Sequence, residues 1–564
     1  MTSLTKTMVS AAAVPTFLSC LLLTLPAVGE IFSAVSHMEN LVDAELKLSQ
    51  SLGRYIEVEE ARLNRIRTLG RLLSNVSSQA NADIRRYLGH PVNAYRLLRR
   101  FISDWQEVEN LVVQPATSED FITQLTLLKR VFPTHEDLSG AATALMRLQS
   151  TYRLEASAIV DGRIPGDQKE RMSVSDCYYL GKIAYEDKDY KFAREWMDEA
   201  LKRWEDNEDK DITLVGVYDY LAFAEFKMGN LKRASRLTKE ILSLEPDHPR
   251  AHSNLAYYKS IISKEETKRG DDGSPAVQTK QKESPEEEDD YEIVDPRTLP
   301  WRIERRRYEK LCREPFPVST YRSKHFKCFY TTGNRHPRLI LKPIAVEVVF
   351  YRPTILVYRN ILSDIEINRL KELGGPKLNR ATAYDSSQQK FAPADYRISK
   401  SAWLSSTDDA TGIVERIDNR IEAVTGLSMK TAEQLQVVNY GIGGQYEPHY
   451  DHAGEGEDPF KDESAGNRIA TVLFYLSDLE AGGATVFTGA GARILPSKGD
   501  ASFWYNLSPA GKGDYMTRHA GCPVLSGLKW VCNKWIHERE QEFRKPCKLN
   551  EKADWNIHSP ELNK

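Results

Sequence analysis

The stretch "YGIGGQYEPHYDH", Tyr440 to His452, follows the apolar run "LQVV" through a glycine-rich turn and then places His449, Asp451 and His452 within four positions. Reading it as strand, turn and strand decides the fold of the second half of the chain and the ligands found there. In an extended segment side chains alternate, so His449 and Asp451 face one way and His452 the other. A His-x-Asp pair on one face supplies two adjacent metal ligands. A histidine from a neighbouring strand completes two histidines and one carboxylate, leaving positions open for a cosubstrate and dioxygen on Fe(II). His519, in "TRHAGCPV", is the candidate, because it follows a run of strand-like segments and precedes the last one. A His-x-Asp by itself is common in surface loops. What raises this one is its place at the end of a strand and turn, with a distant histidine at jelly-roll spacing.

Lys529 opens "KWVCNKWIHE" ten residues after His519. A basic group there can meet the far carboxylate of a dicarboxylate cosubstrate whose other end chelates the metal. His537 has the parity of Lys529 and shares its face. Alone, the first would read as a solvent-facing lysine and the second as a surface histidine; beside the metal motif they form a constellation. The surrounding segments "VEVVFYRPTILVYRNIL", "LQVVNYG", "RIATVLFYLSD", "GGATVF" and "GDASFWYNL" are short, strand-like and separated by Gly, Asp and Pro, with one helical insert around "DDATGIVERIDNRIEAVTG". Many short strands at even spacing predict a barrel or jelly roll.

Upstream the pattern changes to helices. "LAFAEFKMGNLKRASRLTKEILSLEP", Leu221 to Pro246, has the small residues, Gly-Asn turn and closing proline of a tetratricopeptide repeat, and "LAYY" recurs at Leu255. With "LGKIAYEDKDYKFAREWMDEAL" from Leu180, two repeats and a closing helix are expected. Their first helices offer Tyr178, Tyr185, Asp219, Tyr220, Phe223, Phe226, Asn254 and Tyr257. Aromatic residues at helical spacing usually fill a core; those left over would line a groove suited to a proline-rich peptide in the polyproline II conformation. From Ile31 to about Leu148, apolar residues such as Met38, Leu41, Leu48, Leu52 and Tyr55 recur at helical spacing. Two readings are open for this region, a coiled-coil dimer and an ordinary amphipathic helix on its own domain. Ser263 to Pro296, charged and without apolar periodicity, reads as a flexible linker.

At 564 residues the chain calls for several domains. Lys plus Arg number 77 against 80 Asp plus Glu, a net charge of -3, and no basic excess points to nucleic acid. The first residues, with Lys6, an apolar run over Phe17 to Leu25 and then "AVG", read as a secretory signal peptide at 1–29. No later apolar stretch is long enough to span a bilayer, so no membrane insertion is expected after cleavage. Beyond the signal six cysteines remain; their spacing suggests Cys312 with Cys328 and Cys522 with Cys547, leaving Cys177 and Cys532 free, although six cysteines allow fifteen pairings. Asn75 in "NVS" is the expected glycosylation site; Asn506 in "NLS" follows the strand-like "SFWY" and precedes Pro509, which counts against it.

The segments "QYEPHYDH", "GNRIATVLFYLSDLEAGGATVF", "FWYNL" and "GDYMTRHAGCPVLSGLKWVCNKWIHEREQEFRKPC" closely resemble the catalytic domain of collagen prolyl 4-hydroxylase alpha subunits, within the Fe(II)/2-oxoglutarate dioxygenases. The likeness covers nearly the whole mature chain. It implies a helical dimerisation domain at 30–165, a tetratricopeptide-like peptide-binding domain at 170–264, and a charged linker with a disulfide-containing connector at 265–335. A double-stranded β-helix dioxygenase domain at 336–550 and a tail at 551–564 complete the order. The fold class is thus multidomain, α and then α+β. By the same resemblance His449, Asp451 and His519 hold iron, Lys529 anchors 2-oxoglutarate, His537 assists it and Tyr440 hydrogen-bonds its far carboxylate. Tyr185, Asp219, Tyr220, Phe223, Asn254 and Tyr257 fall at the peptide groove. Phe223 and Phe226 stand where the family tends to place tyrosines, so neither position offers a hydroxyl contact.

The implied reaction is 4-hydroxylation of proline in X-Pro-Gly sequences of procollagen-like chains, using O2 and 2-oxoglutarate, with L-ascorbate to restore oxidised iron. The implied partner is protein disulfide isomerase, as beta subunit of an alpha2-beta2 tetramer in the endoplasmic reticulum lumen. The terminal "NIHSPELNK" has no KDEL-type signal, so retention is expected to come from that partner. Three rival readings stand beside this one: a zinc hydrolase using His449, Asp451 and His452, a hydroxylase of another secreted proline- or lysine-containing protein, and an inactive peptide-binding subunit.

Overall fold

The structure is a computed structural model that describes residues 35–113, 135–166, 171–207, 209–271, 293–317, 326–385, 390–393, 397–441, 443–456, 465–550 and 555. The expected signal peptide, most of the charged linker and most of the tail lie outside these residues. No helix among the described residues is long and apolar enough to cross a membrane. The chain divides into two units, residues 1–73 and 74–564.

The first unit carries most of one helix, Val35–Ala82, which is 48 residues long. The expected seam of Met38, Leu41, Leu48, Leu52 and Tyr55 falls on residues whose side chains are outside the description. Further along, Asn75 is exposed.

The second unit begins with short helices and then the repeats. Helix Pro91–Ile102 opens on a proline, whose missing N–H would be unsatisfied there anyway. Helix His135–Tyr152 follows. Two helical hairpins come next, Val174–Glu186 with Tyr190–Lys202 and Leu214–Lys227 with Leu231–Leu244, closed by helix Ala251–Asp271. Ser173 and Asp176 form a reciprocal capping box at the first start, and Gly229 at φ +82° takes the left-handed turn between the second pair. Ala193, Ala224 and Ala234 are fully buried, so the helices approach closely. One apolar core joins Val92, Tyr95 and Leu145 to Leu180, Trp196 and Leu221, and extends to Leu525 of the C-terminal region.

The last repeat helix continues past the expected boundary at 264 to Asp271. Past the linker, the expected connector contains helix Trp301–Arg313, which is packed into the fold. Its Tyr308, Leu311 and Cys312, spaced to share one helical face, form a core with Ala484, Val486, Ala520 and Cys522.

The C-terminal region opens with β1 (Cys328–Thr331), β2 (Ile344–Phe350), β3 (Ile355–Arg359), β4 (Asn379–Arg380), β5 (Thr382–Asp385), β6 (Lys390–Pro393) and β7 (Ser399–Leu404). After helix Ile413–Thr425 come β8 (Leu435–Tyr440), β9 (Tyr446–His449), β10 (Arg468–Tyr475), β11 (Ala481–Gly482), β12 (Thr485–Phe487) and β13 (Ala492–Ile494). β14 (Ala501–Tyr505), β15 (His519–Gly521), β16 (Val524–Ser526) and β17 (Trp530–His537) complete the set. Nine of them make the major sheet, in the order β1-β2-β3-β14-β10-β17-β8-β7-β4, and β13-β12-β15-β9 make the minor one. The pairings are antiparallel. Alternation along the strands divides the apolar residues. Val357, Val438, Val531 and Trp504 meet Phe487, Ala492 and Ile494 of the minor sheet, while Val437, Cys532 and Ile536 pack with helices Asp364–Gly374 and Ile413–Thr425. Burying Ile417, Ile421 and Leu370 completely stabilises that second layer by about 1.5–3 kcal/mol each.

The disulfide differs from both expected pairs: Cys312 bonds to Cys522, and Cys328 and Cys547 are free and exposed. Sequence proximity misled here because Cys328 opens β1 at the outer edge of the major sheet, whereas packing of helix Trp301–Arg313 on the minor sheet brings Cys312 to Cys522. Cys177 and Cys532 are free and buried.

Candidate metal centre

β9 ends on His449, Asp451 follows it, and His519 opens β15 directly opposite His449 in the register. The ligand atoms of these three residues lie within 4.8 Å of one another, the one such cluster of three or more among the described residues. His449 Nε2 is 3.7 Å from Asp451 Oδ1 and His519 Nε2 is 3.6 Å from Oδ2. Each imidazole donates from Nδ1–H to a backbone carbonyl, His449 to Glu447 at 2.8 Å and His519 to Thr517 at 3.0 Å. Those bonds leave the Nε2 lone pairs aimed at the centre.

Burial pushes His449 well below the ordinary histidine value, with His519 adding to the effect, and burial also lowers His519. Burial would raise Asp451, but the neighbouring imidazoles, Arg468 and Thr471 hold it down at about 2. Two neutral imidazoles and one ionised carboxylate are the protonation states a divalent cation requires of its ligands.

His452 takes no part. Its Nδ1–H donates to Ala453 O at 3.0 Å and its ring packs against Tyr450 and Tyr515. A Cβ on Gly513 would come within 2.4 Å of that ring. Strand geometry stops at His449, so alternation does not strictly govern Asp451, yet the three residues it selects are those brought together.

Lys529 lies immediately before β17 and is 2% exposed. Its ammonium sits 4.7 Å from the centre of the Tyr440 ring, and no carboxylate among the described residues pairs with it. Burial brings its pKa down to about 7. Tyr440 and Lys529 converge on Gly521, whose missing Cβ would be 3.4 Å from the Tyr440 hydroxyl and 3.6 Å from Nζ. An ammonium and a phenol hydroxyl placed together in this way are groups that can donate to a carboxylate. His537 is fully buried, but both its nitrogens are engaged by protein, Nδ1 with Gly466 O and Nε2 with Glu433 Oε1 at 3.0 Å.

Several polar residues around the centre were not singled out in the sequence. Thr471 Oγ1 donates to Asp451 Oδ2 at 2.7 Å and accepts from Asn506 Nδ2 at 2.8 Å. Asn506, fully buried, is therefore spent on the centre rather than open to a glycan. Arg468 Nη2 donates to Glu433 Oε2 at 2.9 Å and its guanidinium lies 4.0 Å over Trp535. A threonine inside "RIATVLFY" and an asparagine after "SFWY" carry no local signal that could have found them.

In the repeats the expected aromatic residues touch edge to face. Tyr185 is 4.9 Å from Tyr220 and 5.4 Å from Phe223, Phe223 is 6.0 Å from Phe226, and Phe226 is 5.8 Å from Tyr257. Tyr257 is exposed, whereas Tyr258 is buried and stacks on Phe226. Asn254 is half-buried, and Asp219 pairs with Arg250.

Residues 34–166 match the prolyl 4-hydroxylase alpha-subunit N-terminal region, 174–264 the prolyl 4-hydroxylase peptide-substrate-binding domain, and 435–537 the 2OG-Fe(II) oxygenase superfamily. Prolyl 4-hydroxylase subunit alpha-1 of Rattus norvegicus is 45% identical over 92% of this chain and 96% of its own length. The Gallus gallus subunit alpha-1 is 45% identical over 93% of this chain and 99% of its own. A solved viral collagen prolyl hydroxylase from Paramecium Bursaria Chlorella virus-1, in its 2OG complex, is 25% identical and covers 32% of this chain and 94% of that one, at a TM-score of 0.26. The chain belongs to the family of prolyl 4-hydroxylase alpha subunits.

Proposed function

We propose that this chain hydroxylates peptidyl proline at C4, in X-Pro-Gly sequences of procollagen-like chains, with oxidative decarboxylation of 2-oxoglutarate. The observation that carries this reading is the convergence of His449, Asp451 and His519 beside a buried, unneutralised Lys529. Iron, when bound with 2-oxoglutarate and dioxygen, supplies the oxidation, in which the cosubstrate becomes succinate and CO2 and the proline gains one oxygen atom. His449, Asp451 and His519 would hold the metal, and three protein ligands of this kind would leave it positions for the cosubstrate and dioxygen. Lys529 and the Tyr440 hydroxyl receive the far carboxylate of 2-oxoglutarate. His537, at the opposite end of β17 from Lys529, holds Glu433, which in turn pairs with Arg468. The zinc-hydrolase alternative is not favoured, because the ring of His452 packs away from the cluster.

In this reading, residues 30–165 form the dimerisation domain, 170–264 the peptide-binding domain and 336–550 the oxygenase domain. Residues 1–29 are a signal peptide, 265–335 the connector and 551–564 the tail. Tyr185, Asp219, Tyr220, Phe223, Asn254 and Tyr257 contact the substrate peptide outside the reacting centre. The exposed Asn75 bears the glycan, L-ascorbate is the reductant, and the beta subunit is protein disulfide isomerase in the endoplasmic reticulum lumen.

The test is to incubate the full chain, co-expressed with that partner, with a (Pro-Pro-Gly) repeat peptide, Fe(II), 2-oxoglutarate and ascorbate. The expected result is 4-hydroxyproline in the peptide, matched mole for mole by CO2 release and absent in His449→Ala. Decarboxylation without a modified peptide would contradict the substrate assignment.

A further inference from the structure

Helix Trp301–Arg313 precedes every strand of the catalytic region and belongs to neither sheet, yet its side chains reach both segments that carry the candidate metal ligands. Glu304, 8% exposed, accepts from Arg518, the residue before His519, with Nη2 at 3.2 Å from Oε2. It also accepts from Thr488 Oγ1 at 3.1 Å. The same Arg518 guanidinium lies 5.0 Å over the ring of Tyr450, the residue between His449 and Asp451. Next along the helix, Arg305 Nη1 donates to Glu447 Oε1 at 2.8 Å, and the carbonyl of that glutamate receives the Nδ1–H of His449. Arg307 donates twice to Thr488 O, whose own N–H donates to Arg518 O at 3.1 Å. The Cys312–Cys522 disulfide fixes the far end of the helix.

These contacts fall where the sheet itself specifies least. β9 has four residues, stands at the edge of the minor sheet, and its ladder with β15 is irregular between His519 and Gly521. A short edge pairing of that kind holds its register weakly. Something else must set how far His449 and Asp451 stand from His519.

We infer that Glu304, Arg518 and Arg305 are positioning residues, and that the connector helix sets the spacing of the ligand segments and thereby the affinity of the metal centre. The inference rests on the reading of His449, Asp451 and His519 as a metal site. Arg518 is its hub, because one guanidinium bridges the helix and both ligand segments. Outer partners of metal ligands act in this way by fixing ligand orientation, and their loss typically weakens metal binding by roughly 10–100-fold. If the ion pair merely attached the helix, its removal would lower the melting temperature and leave metal affinity unchanged.

The experiment titrates the metal-free full chain with Co(II), followed by the visible absorption of the bound ion, alongside thermal melting without metal. Wild type binds Co(II) and His449→Ala does not; if the two bind alike, the metal reading fails and the inference with it. Given that difference, Glu304→Gln is expected to weaken Co(II) binding roughly tenfold or more and to alter the absorption of the bound ion, with Glu304→Asp recovering most of the affinity. Wild-type affinity and absorption in Glu304→Gln, whatever its melting temperature, would overturn the inference. If Glu304→Gln does not fold, Arg305→Gln, which removes a part-exposed contact, carries the same test: weakened Co(II) binding supports the inference and unchanged binding overturns it.

Discussion

At the scale of single residues, the candidate centre separates neighbours that composition alone would treat alike. His449 and His452 lie three positions apart, but only the first has its Nε2 turned toward Asp451; the second is packed under Tyr515 and Gly513. His452→Phe is therefore expected to retain iron, measured as metal content of the purified chain, while His449→Ala and Asp451→Ala lose it. Lys529 yields a second expectation with a definite sign. Burial lowers its pKa to about 7, so in the folded chain without cosubstrate it is charged below that pH and neutral above it. The unfolded chain keeps an ordinary lysine, which binds its proton up to about pH 10.4. Between these values the unfolded state holds more protons, so the cost of burying Lys529 is full below pH 7 and is relieved as pH rises. Lys529→Met should accordingly raise the melting temperature of the metal-free chain more at pH 6 than at pH 9. Calorimetry should also show 2-oxoglutarate binding with proton uptake above pH 7 in the wild type and no such uptake in Lys529→Met.

Among the elements, the join between the N-terminal helices and the repeats rests on a buried charge. Asp176 accepts from Arg99 Nη1 at 2.6 Å and from Ser173 N–H and Oγ at 2.8 Å each. Burial acts to raise its pKa, but Arg99, Arg96 and Ser173 more than offset that and hold it low. Removing Arg99 leaves that carboxylate without its main countercharge, a loss of about 3–5 kcal/mol. Arg99→Ala should show it as a lowered denaturant midpoint for the repeat region. The repeats themselves were legible because their signals are local: alanines at close helix contacts, a Gly-Asn turn and a closing proline. The strands were legible from apolar runs between turn residues. The connector helix was not, because the linker's charge run in front of it hid a face of Tyr308, Leu311 and Cys312 that only packing reveals. The disulfide was missed for the same reason, since pairing depends on which surfaces meet and not on spacing along the chain.

For the whole molecule, the order of parts follows the sequence: helices, repeats with an aromatic row, a connector, and two antiparallel sheets with the ligands at the edge of the smaller one. The ligands could be found because His449, Asp451 and His519 sit in recognisable local contexts, whereas Thr471 reaches Asp451 from β10, and Asn506 reaches Thr471 only through the pairing of β10 with β14. Taken together, the cluster, the buried Lys529 beside Tyr440 and Gly521, and the family to which the chain belongs describe an oxygenase acting on a peptide, and the origin of the oxygen atom tests this directly. The measurement is mass spectrometry of a (Pro-Pro-Gly) peptide after turnover by the full chain under 18O2 in ordinary water, with Fe(II) and 2-oxoglutarate. The account predicts 4-hydroxyproline carrying a gain of roughly 18 daltons, the mass of one labelled oxygen atom, and a second labelled atom in succinate. A peptide left unmodified while iron and 2-oxoglutarate are bound, or a product whose new oxygen comes from water, would contradict it.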